Sequence, residues 1–253
     1  MTLRLAELRE GSLAFFAQIA FERDGSIQRL DARDAATVPF ESCAPVRNFP
    51  AWPGKRNYSG LYWSSTTRSH IGFESLAEKT ALMLLDRDAR VVGISSQPMW
   101  ITWPKEAGRG SHAPDFFVRE ESGEGVVIDV RPEHLVDDHA AGVFEATRLL
   151  CEEIGLGYRV ISALPTVLTR NLLFVSRFRD DVFASASSDL EWLRMGAPST
   201  RSLREIALVL GAGELGVGLA RAYRLIWFGE IDVDLGEPLS LEVLGRIVRE
   251  IGQ

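Results

Sequence analysis

Ser111-His112-Ala113-Pro114-Asp115-Phe116-Phe117 and, after the turn Ser122-Gly123-Glu124-Gly125, Val126-Val127-Ile128-Asp129-Val130-Arg131-Pro132 decide how this chain folds. An acid after a proline opens the first apolar run, and the second carries an acid and a cation two positions apart. Two such runs about a glycine-containing turn predict a hairpin. Strand side chains alternate faces, so Asp129 and Arg131 are expected to project together while Ile128 and Val130 point into a core. The hairpin also brings Asp115 beside Asp129. Two carboxylates and a cation then converge on one edge of a sheet.

Downstream, Asp137 or Asp138 can cap a helix running to about Ile154, stopped by Gly155 and Gly157, and Tyr158 to Ala163 reads as a further strand. That strand–helix–strand unit is expected to cross over right-handed. Upstream, Phe15–Phe21 and Ile27–Leu30 flank the turn Glu22-Arg23-Asp24-Gly25-Ser26 and predict a short hairpin. Over Ser69–Asp86, residues Phe73, Leu76, Ala77, Thr80 and Leu84 recur at helical spacing. Val91–Trp103 is β-rich and broken at Gln97-Pro98, which predicts two short strands or one with a bulge. The resulting order is α-β-β-β-α-β, an α/β class with a small mixed sheet.

After Pro165 the character changes. Asn171–Phe183 reads as a helix or a bridging segment. Ser202 with Glu205 three residues on matches a capping box, Gly211-Ala212-Gly213 makes a turn, and Glu214–Arg224 is a second helix. Leu225-Ile226-Trp227-Phe228 and Ile231-Asp232-Val233 about Gly229-Glu230 predict a hairpin, and Ser240 is expected to cap a last helix ending near Gly252. Helix, tight turn, helix and hairpin is the winged-helix order. The expected domains are therefore a β extension over residues 1–45, a core over 46–165 and a winged-helix-like domain over 166–253.

With 46% hydrophobic and 25% charged residues, 253 residues can bury a substantial core. No apolar run reaches membrane-spanning length and the first residues lack the order of a signal peptide, so a cytoplasmic protein is expected, with no membrane contact. Cys43 and Cys151 offer no ligand spacing and read as buried free thiols. A net charge of -7 argues against coating nucleic acid by bulk attraction. The local distribution differs: no acid occurs from Ser42 to Phe73, where Arg47, Lys55, Arg56 and Arg68 alternate with Trp52, Tyr58, Tyr62 and Trp63. Such a stretch suits backbone phosphates and unstacked bases, or else its aromatics fill a core.

Carboxylates meeting at a sheet edge suit magnesium, which takes oxygen ligands and keeps several waters. Asp115, Asp129 and the Val130 carbonyl are the expected ligands, and a metal-bound water of lowered pKa would attack a phosphodiester. Manganese is expected to substitute. A third acid is sought on the upstream helix, where Glu74 and Glu78 share a face. That pair also fits a solvated stripe. Glu78, within Ser75-Leu76-Ala77-Glu78 and ahead of Gln97-Pro98, is preferred, with Glu74 and Gln97 in reserve. Arg131 stays protonated and cannot act as a base, so its expected role is to bind the scissile phosphate. His112 is a candidate for phosphate contact or proton transfer, or a turn-stabilising group. Taken singly, Asp115 would be a turn acid and Asp129 a salt-bridge partner.

These residues resemble the PD-(D/E)xK nuclease superfamily and, more narrowly, the TnsA-like endonuclease subunit of heteromeric transposases. The resemblance is carried by Ser75-Leu76-Ala77-Glu78, Val92-Gly93-Ile94-Ser95-Ser96-Gln97-Pro98, Ser111–Phe116 and Ile128-Asp129-Val130-Arg131-Pro132, with similarity also at Pro45-Val46-Arg47-Asn48-Phe49 and Gly60-Leu61-Tyr62-Trp63. It implies a restriction-endonuclease-like core and cleavage of the 5′ ends at transposon termini in double-stranded DNA. It also implies a DDE transposase subunit and an AAA+ regulator as partners. The active site it implies is Glu78, Asp115 and Arg131, with Asp129 at the variable position and Arg131 standing where the family has lysine. Glu78, Asp115 and Asp129 are the expected metal ligands, and Lys55, Arg56, Arg68 and His112 the expected DNA contacts. From Ser199 to Gln253 six arginines face eight acids, so the C-terminal domain is expected to dock a partner protein rather than read DNA. The alternatives are a standalone restriction- or repair-type nuclease and a catalytically silent scaffold for DNA or transposase.

Overall fold

A computed structural model describes residues 16–47, 58–103, 110–195 and 199–248. The fold is mixed α/β, with several sheets and six α-helices among the described residues. The chain forms two compact units. The first comprises the residues up to Leu85 together with Arg90–Ala163, and the second Asp86–Ala89 with the residues from Leu164 onward.

In the first unit β1 (Gln18–Arg23) and β2 (Ser26–Asp31) form the expected N-terminal hairpin. Asp24 and Gly25 both have positive φ, +54° and +73°, the conformation that a two-residue turn needs to match the strand twist. A second hairpin pairs β3 (Gly60–Ser64) with β4 (Ser69–Phe73). The helix expected from Ser69 onward therefore begins later, as α1 (Leu76–Arg87). Ser69–Phe73 instead pairs along its whole length with β3 and turns Ile71 and Phe73 inward.

β5 (Val91–Ser96) and β6 (Trp100–Thr102) are the two strands expected around Gln97-Pro98, but they enter different sheets. β6 pairs with β1 and with β7 (Ser111–His112), giving the antiparallel order β2-β1-β6-β7. β5 joins β8 (Phe116–Glu120), β9 (Gly125–Val130) and β10 (Gly157–Ile161) in the order β10-β9-β8-β5. β8 runs antiparallel to both β5 and β9, whereas β9 and β10 are parallel. The link between that parallel pair is α2 (Asp138–Glu153), whose N-cap is Asp137: its carboxylate accepts from the Ala140 N–H at 2.8 Å.

One core joins the two four-stranded sheets. Ile19, Phe21, Phe40, Met99 and Ile101 pack with Phe117 and Val127 and with Ala146, Leu150 and Cys151 of α2. Phe40 lies edge-on to both Phe21 and Phe117 with centroids 5.5 Å apart. The N-terminal strands expected as an extension thus share the core of the first unit. Every residue of β9 is buried, so Val127 is core as well as Ile128 and Val130. The expected split of β9 into an apolar face and a polar face does not hold, because this strand is central to its sheet. Cys43 and Cys151 are buried free thiols.

The second unit holds α3 (Thr166–Val175), α4 (Ser187–Met195), α5 (Leu203–Leu210) and α6 (Leu215–Trp227). It adds a small antiparallel sheet, β11 (Thr200–Ser202), β13 (Leu244–Ile247) and β12 (Ile231–Asp232) in that spatial order. The capping box forms: Ser202 Oγ accepts from the Glu205 N–H and the Glu205 carboxylate accepts from the Ser202 N–H at 2.8 Å. Two expectations are corrected. Leu225–Trp227 are the last turn of α6 rather than a strand, with all three side chains buried. The helix expected after Ser240 is replaced, within the described residues, by β13, whose exposed–buried alternation has a period of two and which pairs with β11 and β12. No single helix among the described residues is long and apolar enough to cross a membrane.

Candidate functional site

Asp115 sits where β8 begins, one residue before the pair Phe116–Ile128. Its Oδ2 accepts from the Val130 N–H at 2.7 Å, so the hairpin fixes this carboxylate against the end of β9. Burial is the first cause pushing its pKa well above the ordinary carboxylate range. The negative charges of Glu78 and Asp129 push it further, while the Val130 bond and the Arg47 cation oppose the shift. Two carboxylates thus act on a third, Asp115, at the edge where β8 begins.

Asp129 is almost fully buried, and two donors reach its Oδ2: the Tyr158 hydroxyl at 2.6 Å and His112 Nε2 at 3.0 Å. Tyr158 comes from β10, next to β9, and His112 from β7. Burial, followed by the Asp129 charge and its bond to Asp129, raises the Tyr158 pKa, so the hydroxyl remains a donor at neutral pH. The Oδ1 atoms of Asp115 and Asp129 accept no hydrogen bond from the described residues.

Glu78 has a second task. Its Oε2 accepts from the Glu74 N–H at 2.6 Å and its Oε1 from the Ser75 hydroxyl at 2.8 Å, while its own N–H donates to Ser75 Oγ at 3.1 Å. The carboxylate therefore closes the start of α1. Burial raises its pKa first, and the neighbouring Glu74 charge adds to the rise. The Ser-x-x-Glu spacing of Ser75 and Glu78 is itself a helix-start signature, so this role was readable in the sequence. Glu74 has a different environment, accepting at Oε2 from Arg47 Nη2 at 2.7 Å and from Gln97 Nε2 at 3.1 Å.

Arg131 does not join the acids. It lies one residue past β9, is exposed, and donates its Nε to the Leu135 carbonyl at 3.1 Å. The turn Glu133–Leu135 that follows Pro132 carries this acceptor within reach, and Arg131 acts electrostatically on Asp137 instead. The cation that acts on both Asp115 and Glu78 is Arg47. The sequence marks Arg47 only as part of an acid-free stretch and Tyr158 only as a strand residue. The signal for Tyr158 was a polar tip at the start of a strand parallel to the one that carries Asp129.

Of the expected DNA contacts, Lys55 and Arg56 lie outside the described residues, as does Trp52. Arg68 is exposed in the β3–β4 turn with a positive φ of +51°. Trp63 and Tyr58 are exposed while Tyr62 is buried, so the aromatics divide between surface and core.

Among the described residues no group of three or more His, Cys, Asp or Glu side chains converges to hold a metal ion. Magnesium needs fewer: one or two carboxylates with its retained waters and substrate phosphate oxygens suffice. Asp115 and Asp129 are the residues that could hold it, since each has one oxygen anchored and the other not engaged by the described residues. Glu78 would first have to give up its hold on the start of α1. No protein-family model matches the chain, and no curated protein matches it.

Proposed function

We propose that the first unit is a divalent-metal-dependent DNA endonuclease, the TnsA-like subunit of a heteromeric transposase. The observation that carries this reading is Asp115, a carboxylate fixed at a strand end by the Val130 N–H and within reach of the charges of Glu78 and Asp129. The order α1, β5, β8, β9, α2, β10 supports a restriction-endonuclease-like core. The run α5, tight turn, α6 and a small sheet supports a winged-helix-like second domain that docks a partner.

Magnesium, or manganese in its place, would be held by Asp115 and Asp129. When bound, it supplies a water of lowered pKa and a counter-charge for the phosphorane. The chain's own groups do the rest. Val130 N–H orients Asp115, and Tyr158 and His112 orient Asp129, so neither carboxylate must be ordered when substrate arrives. The expected substrate is duplex DNA at transposon ends, cut at the 5′ strands beside a DDE transposase and an AAA+ regulator. A catalytically silent scaffold is the second reading, favoured by the closure of Glu78 onto its own helix and by the position of Arg131.

Cleavage assays of supercoiled DNA bearing paired ends, with Mg²⁺ or Mn²⁺ and with or without the transposase, divide these readings. Cutting only with transposase is the expected result, and Asp115→Ala should reduce it at least about 100-fold, the scale for losing a key electrostatic group. Cutting by the protein alone would make it a standalone nuclease. Cutting in no condition, with Asp115→Ala silent in cells, would leave the scaffold.

A further inference from the structure

We propose that Arg47 is the cation of this site that grips the DNA phosphodiester, in place of Arg131. The inference rests on the nuclease reading above. Arg47 is built into the site by a short chain of bonds. Val46 N–H donates to the Gln97 carbonyl at 2.9 Å, and Gln97 N–H donates to the Asp115 carbonyl at 2.9 Å. Arg47 Nε then donates to the Gln97 side-chain carbonyl at 2.9 Å. The residue that makes all three contacts has a left-handed backbone, φ +44°, an uncommon conformation for a side chain of this size and one held here from both sides. One residue therefore registers the Arg47 segment against the strand end that carries Asp115.

Charge and donor count point to an anion as the missing partner. Glu74 takes one Nη2 hydrogen, and three of the five guanidinium N–H groups have no acceptor among the described residues. The side chain is 41% exposed, so those donors are open to a ligand. A site that gathers Glu74, Glu78, Asp115 and Asp129 repels a phosphodiester unless a fixed cation stands among them, and a planar fork matches two phosphate oxygens. Arg131, turned to the Leu135 carbonyl and acting on Asp137, is not a cation that acts on Asp115 or Glu78. The competing account is a staple, in which Arg47 only fastens its segment to Glu74 and Gln97.

Full-length protein and a fluorescent duplex oligonucleotide separate the two, with binding titrated against KCl and cleavage followed in Mn²⁺ with the transposase present. Arg47→Ala should lower the slope of log Kd against log salt by about 1, the loss of one phosphate contact, and should cut cleavage on the order of 100-fold. Arg47→Lys should restore the slope and only part of the cleavage, since the charge returns without the fork. Arg131→Ala should leave both near wild type. Manganese binding to DNA-free protein, followed by electron paramagnetic resonance, should hold or tighten in Arg47→Ala, because a cation has left the acids. A wild-type salt slope in Arg47→Ala, with or without a lowered melting temperature, would overturn the inference. So would loss of the slope in Arg131→Ala. If the wild type neither binds Mn²⁺ nor cuts DNA, the nuclease reading fails by itself, while the salt slopes still report whether Arg47 holds the phosphate.

Discussion

Asp115 gives the site its pH behaviour. Its folded pKa lies well above the unfolded carboxylate value near 3.9, chiefly through burial and then through Glu78 and Asp129. Below the unfolded value both states are protonated and nothing is lost. As pH rises through the folded value, the native state must carry a charge that it disfavours, so stability falls relative to acid conditions. Asp115→Asn keeps an acceptor for the Val130 N–H and removes that charge. The variant should melt a few degrees above wild type at pH 7–8 and match it below about pH 4, read by differential scanning fluorimetry across pH. Added Mg²⁺ should raise the wild-type melting temperature and leave the variant unmoved; an unshifted wild type would remove Asp115 from any cation site. Tyr158 is tested separately. Tyr158→Phe deletes one hydroxyl and its 2.6 Å bond to Asp129, which should cost about 1.5–3 kcal/mol of stability as a bond to a charged group. It should also weaken Mn²⁺ binding about 10-fold, the lower end for loss of a group supporting a ligand. Titration of Mn²⁺ into DNA-free protein reads this, and unchanged affinity would make Tyr158 a packing residue.

At the scale of elements, legibility followed how local the deciding interaction was. The Ser202–Glu205 box and the Asp137 cap are closed by residues three apart, and both stood in the sequence. β13 is not legible locally, because Leu244–Ile247 is a strand only through its partners β11 and β12, which lie many residues away. Leu225–Trp227 are ambiguous in sequence because a fully buried helical turn and a buried strand share the same apolar run. In the site, the Asp115–Asp129 pairing was legible because hairpin register fixes it. Arg47 was not, since its position depends on a bond to a residue fifty places on. The close pairing of α5 with α6 has its own test. A Cβ on Gly218 would fall 1.7 Å from the Ala207 carbonyl oxygen, with backbone that cannot yield as a side chain would. Gly218→Ala should therefore destabilise the second unit by several kcal/mol despite its better helix propensity, on the order of 3 kcal/mol or more as overpacking. Urea unfolding of the variant reads this, and a midpoint at or above wild type would mean the two helices separate freely.

At the scale of the whole molecule, the second unit is discontinuous in sequence: Asp86–Ala89 belong to it, far from the residues that begin at Leu164. Arg87 is the residue that makes this membership count. Its Nε donates to the Ile226 carbonyl at 3.2 Å near the end of α6, and burial lowers its pKa while Asp232 counters the effect. Arg87→Ala is expected to lower the stability of this unit by about 1–3 kcal/mol, as for a hydrogen bond involving a charged group. Faster hydrogen exchange at α6 amides would show it, and unchanged exchange would mean that Arg87 is dispensable. For anyone dissecting the protein, a plasmid encoding only the stretch from Leu164 onward omits a piece of its own product. Such a fragment should be prone to fraying and clumping, and a failed pull-down with it would report on the excision rather than on the absence of a binding partner.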